Sequence, residues 1–304
     1  MPTDHPLPAS PYKLFDVRLK VKAPLSRHLW RYTFEGKEVR QMATLAPDQR
    51  IKIFFPDPQG RPPALRHTPD WYAEYKRQDP ARRPPMRTYT IRALRAEASE
   101  VDVDFVLHGD NGPASAWAMA AQPGAHLQIM APNAAFEGDG GGYEWNPPAG
   151  LGKLLLIGDE TALPAIAGIL EELAAQSAPP ATELFIEVGA EGDEIPLPAW
   201  SGLKVEWMPR GLAAPGAAMI AAAERASLPT AQPARAPAPA LAEVDVDEAI
   251  LWDRAAPEDN GFYGWVAGEA AAVLAIRRLL IMERKVDRKS LNLMGYWREG
   301  RALD

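Results

Sequence analysis

The sequence predicts two domains of different class: an N-terminal antiparallel β-barrel, then a doubly wound α/β domain with a parallel sheet. Three observations predict it. The 304 residues exceed the ordinary length of one domain. Up to about residue 148, short runs alternate polar and apolar residues between turn residues, as antiparallel strands do. Beyond that point, continuous apolar runs alternate with helical stretches, as in parallel sheets with crossover helices. The expected domains are therefore residues 1–148 and 149–304.

In chain order, "FDVRLKVKAPLSRHLWRYTFEG" (15–36) reads as two paired strands with a break at its proline. "RIKIFFP" (50–56), "TYTIRAL" (88–94), "VDVDFVLH" (101–108) and "HLQIMAP" (126–132) continue the pattern. Residues 57–86 are too Pro-rich for regular structure apart from a turn of helix near 70–77, so a long loop is expected. "NGPASAWAMAAQPG" (111–124) opens with turn residues, places Pro113 at a helix start and ends at a glycine. "YEWNPPAG" (143–150) separates the two patterns. "KLLLIGDE" (153–160) is then a strand and turn, and "LPAIAGILEELAAQ" (163–176) a helix. Strands follow at 183–189, 203–209, 248–253, 262–269 and 290–297, with helices near 215–226 and at 269–285. The Ala/Pro stretch 228–243 reads as a linker-like insertion.

An apolar fraction of 47% and a charged fraction of 24% describe an ordinary globular chain. With no cysteine, disulfides, zinc–thiolate sites and any protein-ligated iron–sulfur cluster are excluded. The five histidines show no metal-ligand spacing, so no metal site is expected. No apolar run approaches the ~18–20 residues of a membrane span. The first twelve residues lack a signal peptide's charged start and apolar centre. A soluble cytoplasmic protein without membrane insertion is expected.

Charge is uneven. Residues 1–150 carry 19 Lys/Arg against 17 Asp/Glu, and residues 151–304 carry 14 against 23. Residues 61–95 alone hold nine cations and three acids. Such a patch suits an anionic ligand, or else a solvated loop whose arginines pair with nearby acids. The acidic remainder argues against nucleic acid as a partner.

Four stretches can carry chemistry. In "MRTYTIR" (86–92), Arg87 and Tyr89 share one face of a strand while Thr88 and Thr90 take the other. In "HGDNGPASAWA" (108–118), Gly112 permits close backbone approach, and the amides of Ala114 and Ser115 open a helix that either binds an anion or is plainly capped. His108 is either a satisfied structural histidine or a cofactor contact. "GDETALPA" (158–165) is a strand-to-helix turn that suits a pyrophosphate but lacks the G-x-G-x-x-G fingerprint. There is no G-x-S-x-G and no Ser/His/Asp set, so any chemistry is borrowed from a cofactor.

Taken in order, "RTYT" (87–90), "HGDNGPASAWA" (108–118), "GDETALP" (158–164), "WVAGE" (265–269) and "GYWREG" (295–300) resemble the siderophore-interacting protein family, flavin-dependent ferric-siderophore reductases of the ferredoxin-reductase-like superfamily. The resemblance runs from about residue 12 to residue 300. It implies that the barrel (1–148) binds FAD and the α/β domain (149–304) binds NADPH or NADH. Arg87 would neutralise the FAD pyrophosphate, Tyr89 would stack on the flavin, and Thr90 would hydrogen-bond near its reactive edge, the last two being the catalytic candidates. His108 would contact FAD, and Gly112, Pro113, Ala114 and Ser115 would form its pyrophosphate-binding helix start. Gly158, Asp159, Glu160, Thr161 and Ala162 resemble the nicotinamide-side turn, and Gly268 and Glu269 the motif closing that pocket.

On the substrate side, Lys52 and Arg298 match basic residues expected around the flavin edge. "APNAAFEG" (131–138) departs by lacking an arginine that some members carry. The Ala/Pro insertion is the other departure. The implied reaction is hydride transfer from NAD(P)H to flavin, then single-electron reduction of Fe(III) in a ferric siderophore or other anionic chelate, releasing Fe(II). Between the two donors, Glu187, Arg210 and the 191–194 turn pull in opposite directions, and the resemblance leans to NADPH. A monomer is favoured. The alternatives are an NAD(P)H–flavin or ferredoxin/flavodoxin-type reductase with another acceptor, and a non-catalytic siderophore-binding module.

Overall fold

A computed structural model describes residues 9–66, 68, 70–107, 112–229, 246, 250–256 and 261–301. The chain divides into two compact units between Tyr143 and Glu144.

The first unit contains β1 (Tyr12–Pro24), β2 (Leu29–Glu35), β3 (Arg50–Phe54), α1 (Trp71–Arg77), β4 (Met86–Thr90), β5 (Ala93–Arg95), β6 (Glu100–Val106), α2 (Pro113–Ala120) and β7 (His126–Pro132). Its strands form one antiparallel sheet in the order β4-β3-β7-β1-β2-β6-β5. The edge strands β4 and β5 are joined by Ile91 and Arg92 alone, a link that reaches about 11 Å at most. The sheet must therefore curl until its edges meet. The Ile91 amide donates to Gln49 O beside β3, and the Arg92 amide to Asp102 O on β6, each at 2.9 Å. This handover splits the strand expected at 88–94 into two.

Long β1 serves both sides of the curl. Its first half pairs with β7 and its second with β2, with a register shift between Leu19 and Val21. Alternation then puts Phe15, Val17, Tyr32, Phe34, Ile51, Ile53, Phe105, Leu127 and Ile129 into one closed core. The Pro-rich segment after β3 is more ordered than its composition suggests. α1 lays Tyr75 over Leu14, Phe54, Leu65, Met86 and Met130 on the sheet's other face. Tyr75 donates to Pro84 O at 3.0 Å, and Gln128 accepts from the Leu65 amide at 2.7 Å.

The second unit contains β8 (Lys153–Asp159), α3 (Leu163–Ala174), β9 (Ala181–Val188), β10 (Leu203–Pro209), α4 (Ala217–Arg225), β11 (Trp252–Asp253), β12 (Phe262–Glu269), α5 (Ala270–Arg278) and β13 (Leu291–Trp297). The sheet order is β10-β9-β8-β12-β13-β11, parallel except for the antiparallel edge strand β11. All eight residues of β12 are buried, as a central strand covered on both faces requires. On one face α4 and α5 bury Met219, Ala222, Val273 and Ile276 against Leu155, Ile157, Val266 and Leu293. On the other, α3 comes so near β8 that a Cβ at Gly158 would lie 2.8 Å from Ile166 Cδ1 and 2.9 Å from Ala162 Cβ. The sheet is doubly wound, as expected. The Ala/Pro insertion lies outside the described residues from 230 onward.

Among the described residues no helix is long and apolar enough to cross a membrane. The helix expected over 269–285 ends at Arg278, and a single π-helical turn, Leu279–Glu283, follows.

Candidate functional site

In the first unit the strand "RTYT" is β4. Its pairing with β3 sets Thr90 opposite Arg50, Tyr89 opposite Ile51, Thr88 opposite Lys52 and Arg87 opposite Ile53. Arg87 and Tyr89 thus share the face that carries Ile51 and Ile53 of the barrel core. The Tyr89 ring is half-buried and tilts against Phe105 at 4.3 Å between centroids. Burial pushes its phenol well above the usual value, against a smaller opposing pull from Arg87, so it stays neutral. Arg87 Nη1 donates to Met86 O at 2.7 Å.

The opposite face gathers Lys52, Thr88 and Thr90. Lys52 Nζ donates to the exposed Thr88 Oγ1 at 2.7 Å, whereas Thr90 is buried. The structure therefore brings Lys52 to the threonine face of β4, away from the face of Arg87 and Tyr89.

Helix α2 stands over the same core. Trp117 stacks near Phe34 and meets Phe55 edge-on, with Phe105 6.2 Å away, so Phe55 and Phe105 both link Tyr89 to the helix. Tyr32 donates to Ala118 O at 2.7 Å. Lys22 Nζ donates to Ala118 O and Met119 O, placing a cation on the negative end of the helix. Among the described residues the other end has no such neutralisation. Gly112 provides no side-chain cap, Pro113 occupies the first turn, and a Cβ on Gly112 would meet nothing within 4 Å among the described residues. The amides of Ala114 and Ser115 there form an electropositive helix start. His108 lies outside the described residues.

A half-exposed aromatic ring, a guanidinium on its face and an uncapped helix start suit the ring system and pyrophosphate of FAD. Part of the cationic stretch 61–95 is engaged within the fold. Arg61 holds Asp57 at 2.6 Å, Arg95 holds Asp102 at 2.7 Å, and Arg83 donates to the carbonyls of Lys76 and Gln78.

In the second unit the strand order reverses between β8 and β12, and ligands of such sheets bind beyond the carboxyl ends at that point. The residues gathered there are Gly158–Ala162, Gly268 and Glu269, as the sequence suggested. Asp159 ties several of them together. Buried Asp159 accepts four hydrogen bonds: Thr161 N (2.9 Å) and Thr161 Oγ1 (2.5 Å) on Oδ1, Glu269 N (2.9 Å) and Trp297 Nε1 (2.7 Å) on Oδ2. It ties the ends of β8, β12 and β13 together. Burial, with neighbouring Glu160 second, pushes its carboxyl up to about 6. A Cβ on Gly268 would come within 2.6 Å of Asp159 Oδ2, so glycine is needed for this approach.

Glu269 caps α5 through the Ala272 amide (3.0 Å) and accepts Arg298 Nη1 at 2.8 Å. Arg298, expected as a chelate contact, is thus anchored and about one-fifth exposed. Glu160, Arg210 and Glu187 form a third buried group. Arg210 reaches Glu160 at 2.9 Å and Glu187 at 3.0 Å. Sequence reading named Glu187 and Arg210 without pairing them, and it missed the contacts of Trp297 and Trp117. The only signal for these two was that each lies inside a quoted motif.

Residues 18–136 match the siderophore-interacting FAD-binding domain, and residues 151–300 match the siderophore-interacting protein domain. An uncharacterised protein of Mycobacterium tuberculosis is 36% identical over 262 residues, 84% of this chain and 79% of that one. The ferric vibriobactin reductase ViuB of Vibrio cholerae is 27% identical over 280 residues, 92% and 88% of the two chains. Among solved structures, a siderophore utilization protein from T. fusca superposes with a TM-score of 0.72 at 26% identity, covering 97% of this chain and 96% of that one. The chain belongs to the siderophore-interacting protein family, and its first unit is that family's FAD-binding domain.

Proposed function

We propose that the protein is an FAD-dependent ferric-siderophore reductase that draws on NAD(P)H. The observation that carries this reading is the cradle in the first unit: Arg87 and Tyr89 on one face of β4, joined through Phe55 and Phe105 to Trp117 of α2, whose start has no side-chain cap among the described residues. When bound, FAD supplies the chemistry that links a two-electron hydride donor to a one-electron acceptor, chelated Fe(III).

The chain's own residues bind and orient. Arg87 neutralises pyrophosphate charge as a guanidinium does. The α2 amides share that charge, helped by a helix dipole whose far end is already balanced by Lys22. Tyr89, kept neutral, offers its ring and takes up no proton. Lys52, half-exposed beside Thr88, is a cation of the first unit that can attract an anionic chelate, while Arg298 of the second unit is held by Glu269. Reduction weakens the grip of hard oxygen ligands on the iron, and Fe(II) leaves. The likeness to the ferric vibriobactin reductase supports a ferric chelate as substrate.

The test is the visible spectrum of the purified protein, followed through anaerobic NAD(P)H and then a ferric siderophore with an Fe(II)-specific chelator. The expected result is a flavin band that bleaches, then returns as Fe(II) is trapped. Bleaching without reoxidation by the chelate would assign a different acceptor. A protein that stays colourless with added FAD would end the reading.

A further inference from the structure

We propose that the hydride donor is NADH, and that Glu160, Glu187 and the acidic turn 189–194 exclude the 2′-phosphate of NADPH. The inference rests on the reading of the second unit as a nicotinamide dinucleotide site. In doubly wound sheets the end of the second strand reads the ribose: an acid there accepts the 2′-hydroxyl, and a nearby arginine accepts a 2′-phosphate. This chain has both types. Glu187 stands level with Asp159 near the end of β9, and Arg210 directly follows β10. From the sequence they point in opposite directions.

The structure decides which of them is available. Arg210 is committed to two carboxylates, through Nη2 to Glu160 Oε1 (2.9 Å) and through Nη1 to Glu187 Oε1 (3.0 Å) and Glu160 Oε2 (3.3 Å). Its side chain is only 13% exposed. Glu187 is fully buried and is itself fixed by the amides opening α4, from Gly216 at 2.8 Å and Ala218 at 2.9 Å. One cation thus faces two acids, and a phosphate could recruit Arg210 only by leaving both carboxylates buried without it. That exchange is unfavourable.

The loops on either side offer no substitute. Residues 189–202 and 211–216 contain no Lys or Arg. The turn instead adds Glu191, Asp193 and Glu194. Asp193 and Glu194 accept the amides of Ala190 and Gly192, and Glu191 is exposed. A 2′-phosphate would meet five carboxylates in these segments, Glu160, Glu187, Glu191, Asp193 and Glu194, with Arg210 already committed to the first two. A 2′-hydroxyl carries no charge to repel and can donate to an exposed carboxylate such as Glu191. Repulsion of the wrong ligand is as good a source of specificity as attraction of the right one.

The experiment compares NADH with NADPH on the FAD-loaded protein, by stopped-flow flavin reduction and by calorimetric titration of NAD+ and NADP+. NADH is expected to win by at least about tenfold in kcat/KM, with NAD+ binding tighter by a similar factor. In Glu191→Arg, an exposed position, the preference should narrow at least about threefold through better use of NADPH. Equal use or a preference for NADPH would overturn the proposal. An unchanged ratio in Glu191→Arg would overturn the role given to the turn. If neither dinucleotide binds or bleaches the flavin, the nicotinamide reading falls and this inference falls with it.

Discussion

A carboxylate accepting four hydrogen bonds is ordinarily held in its charged form, yet Asp159 is pushed the other way. Burial in the second unit outweighs those bonds, and Glu160 beside it adds like charge. The consequence for stability has a definite sign. In the unfolded chain this carboxyl titrates near ~3.9, and in the fold near about 6. Between those values the folded state holds more protons, so its stability falls as pH rises. Asp159→Asn removes the ionisable group and loses one acceptor, a cost that does not depend on pH. Urea midpoints at pH 4, 5.5 and 7 should therefore move in the variant's favour, relative to wild type, as pH rises. A flat difference would mean that Asp159 titrates as an ordinary acid. On the first unit, Arg87→Ala should weaken FAD binding about tenfold or more, the worth of a charge-assisted hydrogen bond. The readout is the flavin-to-protein ratio after dialysis, and wild-type occupancy would remove Arg87 from the pyrophosphate. Lys52→Ala should raise the KM for an anionic ferric chelate several-fold, with a gap that narrows as salt screens the charge. A KM equal to wild type at low salt would take Lys52 out of the substrate's path.

Elements were legible where one signal dominated. The runs at 126–132, 203–209 and 262–269 match β7, β10 and β12 residue for residue; β7 and β12 are buried mid-sheet strands with hard ends at their turns, whereas β10 is a largely exposed edge strand marked by its alternation. The stretch 88–94 was misread as one strand because its alternation is unbroken. Only the change of hydrogen-bond partner from Gln49 to Asp102 reveals the corner. The helix read over 269–285 stops early for a similar reason: composition cannot distinguish α5 from the π turn that follows it. At the site, residue types and their motifs were readable, but partners were not. Glu160 and Arg210 lie 50 residues apart, and only the parallel register of β8, β9 and β10 brings their ends together. Gly158 shows the same limit. A turn explains a glycine there, but the nearness of α3 makes it necessary. Gly158→Ala should cost about 1–3 kcal/mol, as overpacking does, measured as a lower urea midpoint. A neutral result would mean that Ile166 and Ala162 move aside freely.

At the scale of the whole chain, the division after Tyr143 separates two cores, one enclosed by the curled sheet and one between the parallel sheet and its helices. The residues assigned to FAD all lie before that division, and those assigned to the dinucleotide all lie after it. Each ligand should therefore stabilise its own unit, by mass action on that unit's folded state. A ligand at 100 times its Kd adds about 2.7 kcal/mol. Amide hydrogen exchange resolves the two units within one intact chain. Added FAD should slow exchange in β4, β6 and the first turn of α2, where Phe105 links Tyr89 to the helix. Added NADH should slow it in the 158–162 turn and at the start of α4, whose amides are held by Glu187. FAD protection confined to the second unit would displace the cofactor from the Arg87–Tyr89 cradle. Protection of α2 without β4 would keep the helix start as the pyrophosphate site and release Tyr89 from the flavin. Slowing of both segments together would make the β4 cradle and the α2 start one site, joined through the rings of Phe55 and Phe105.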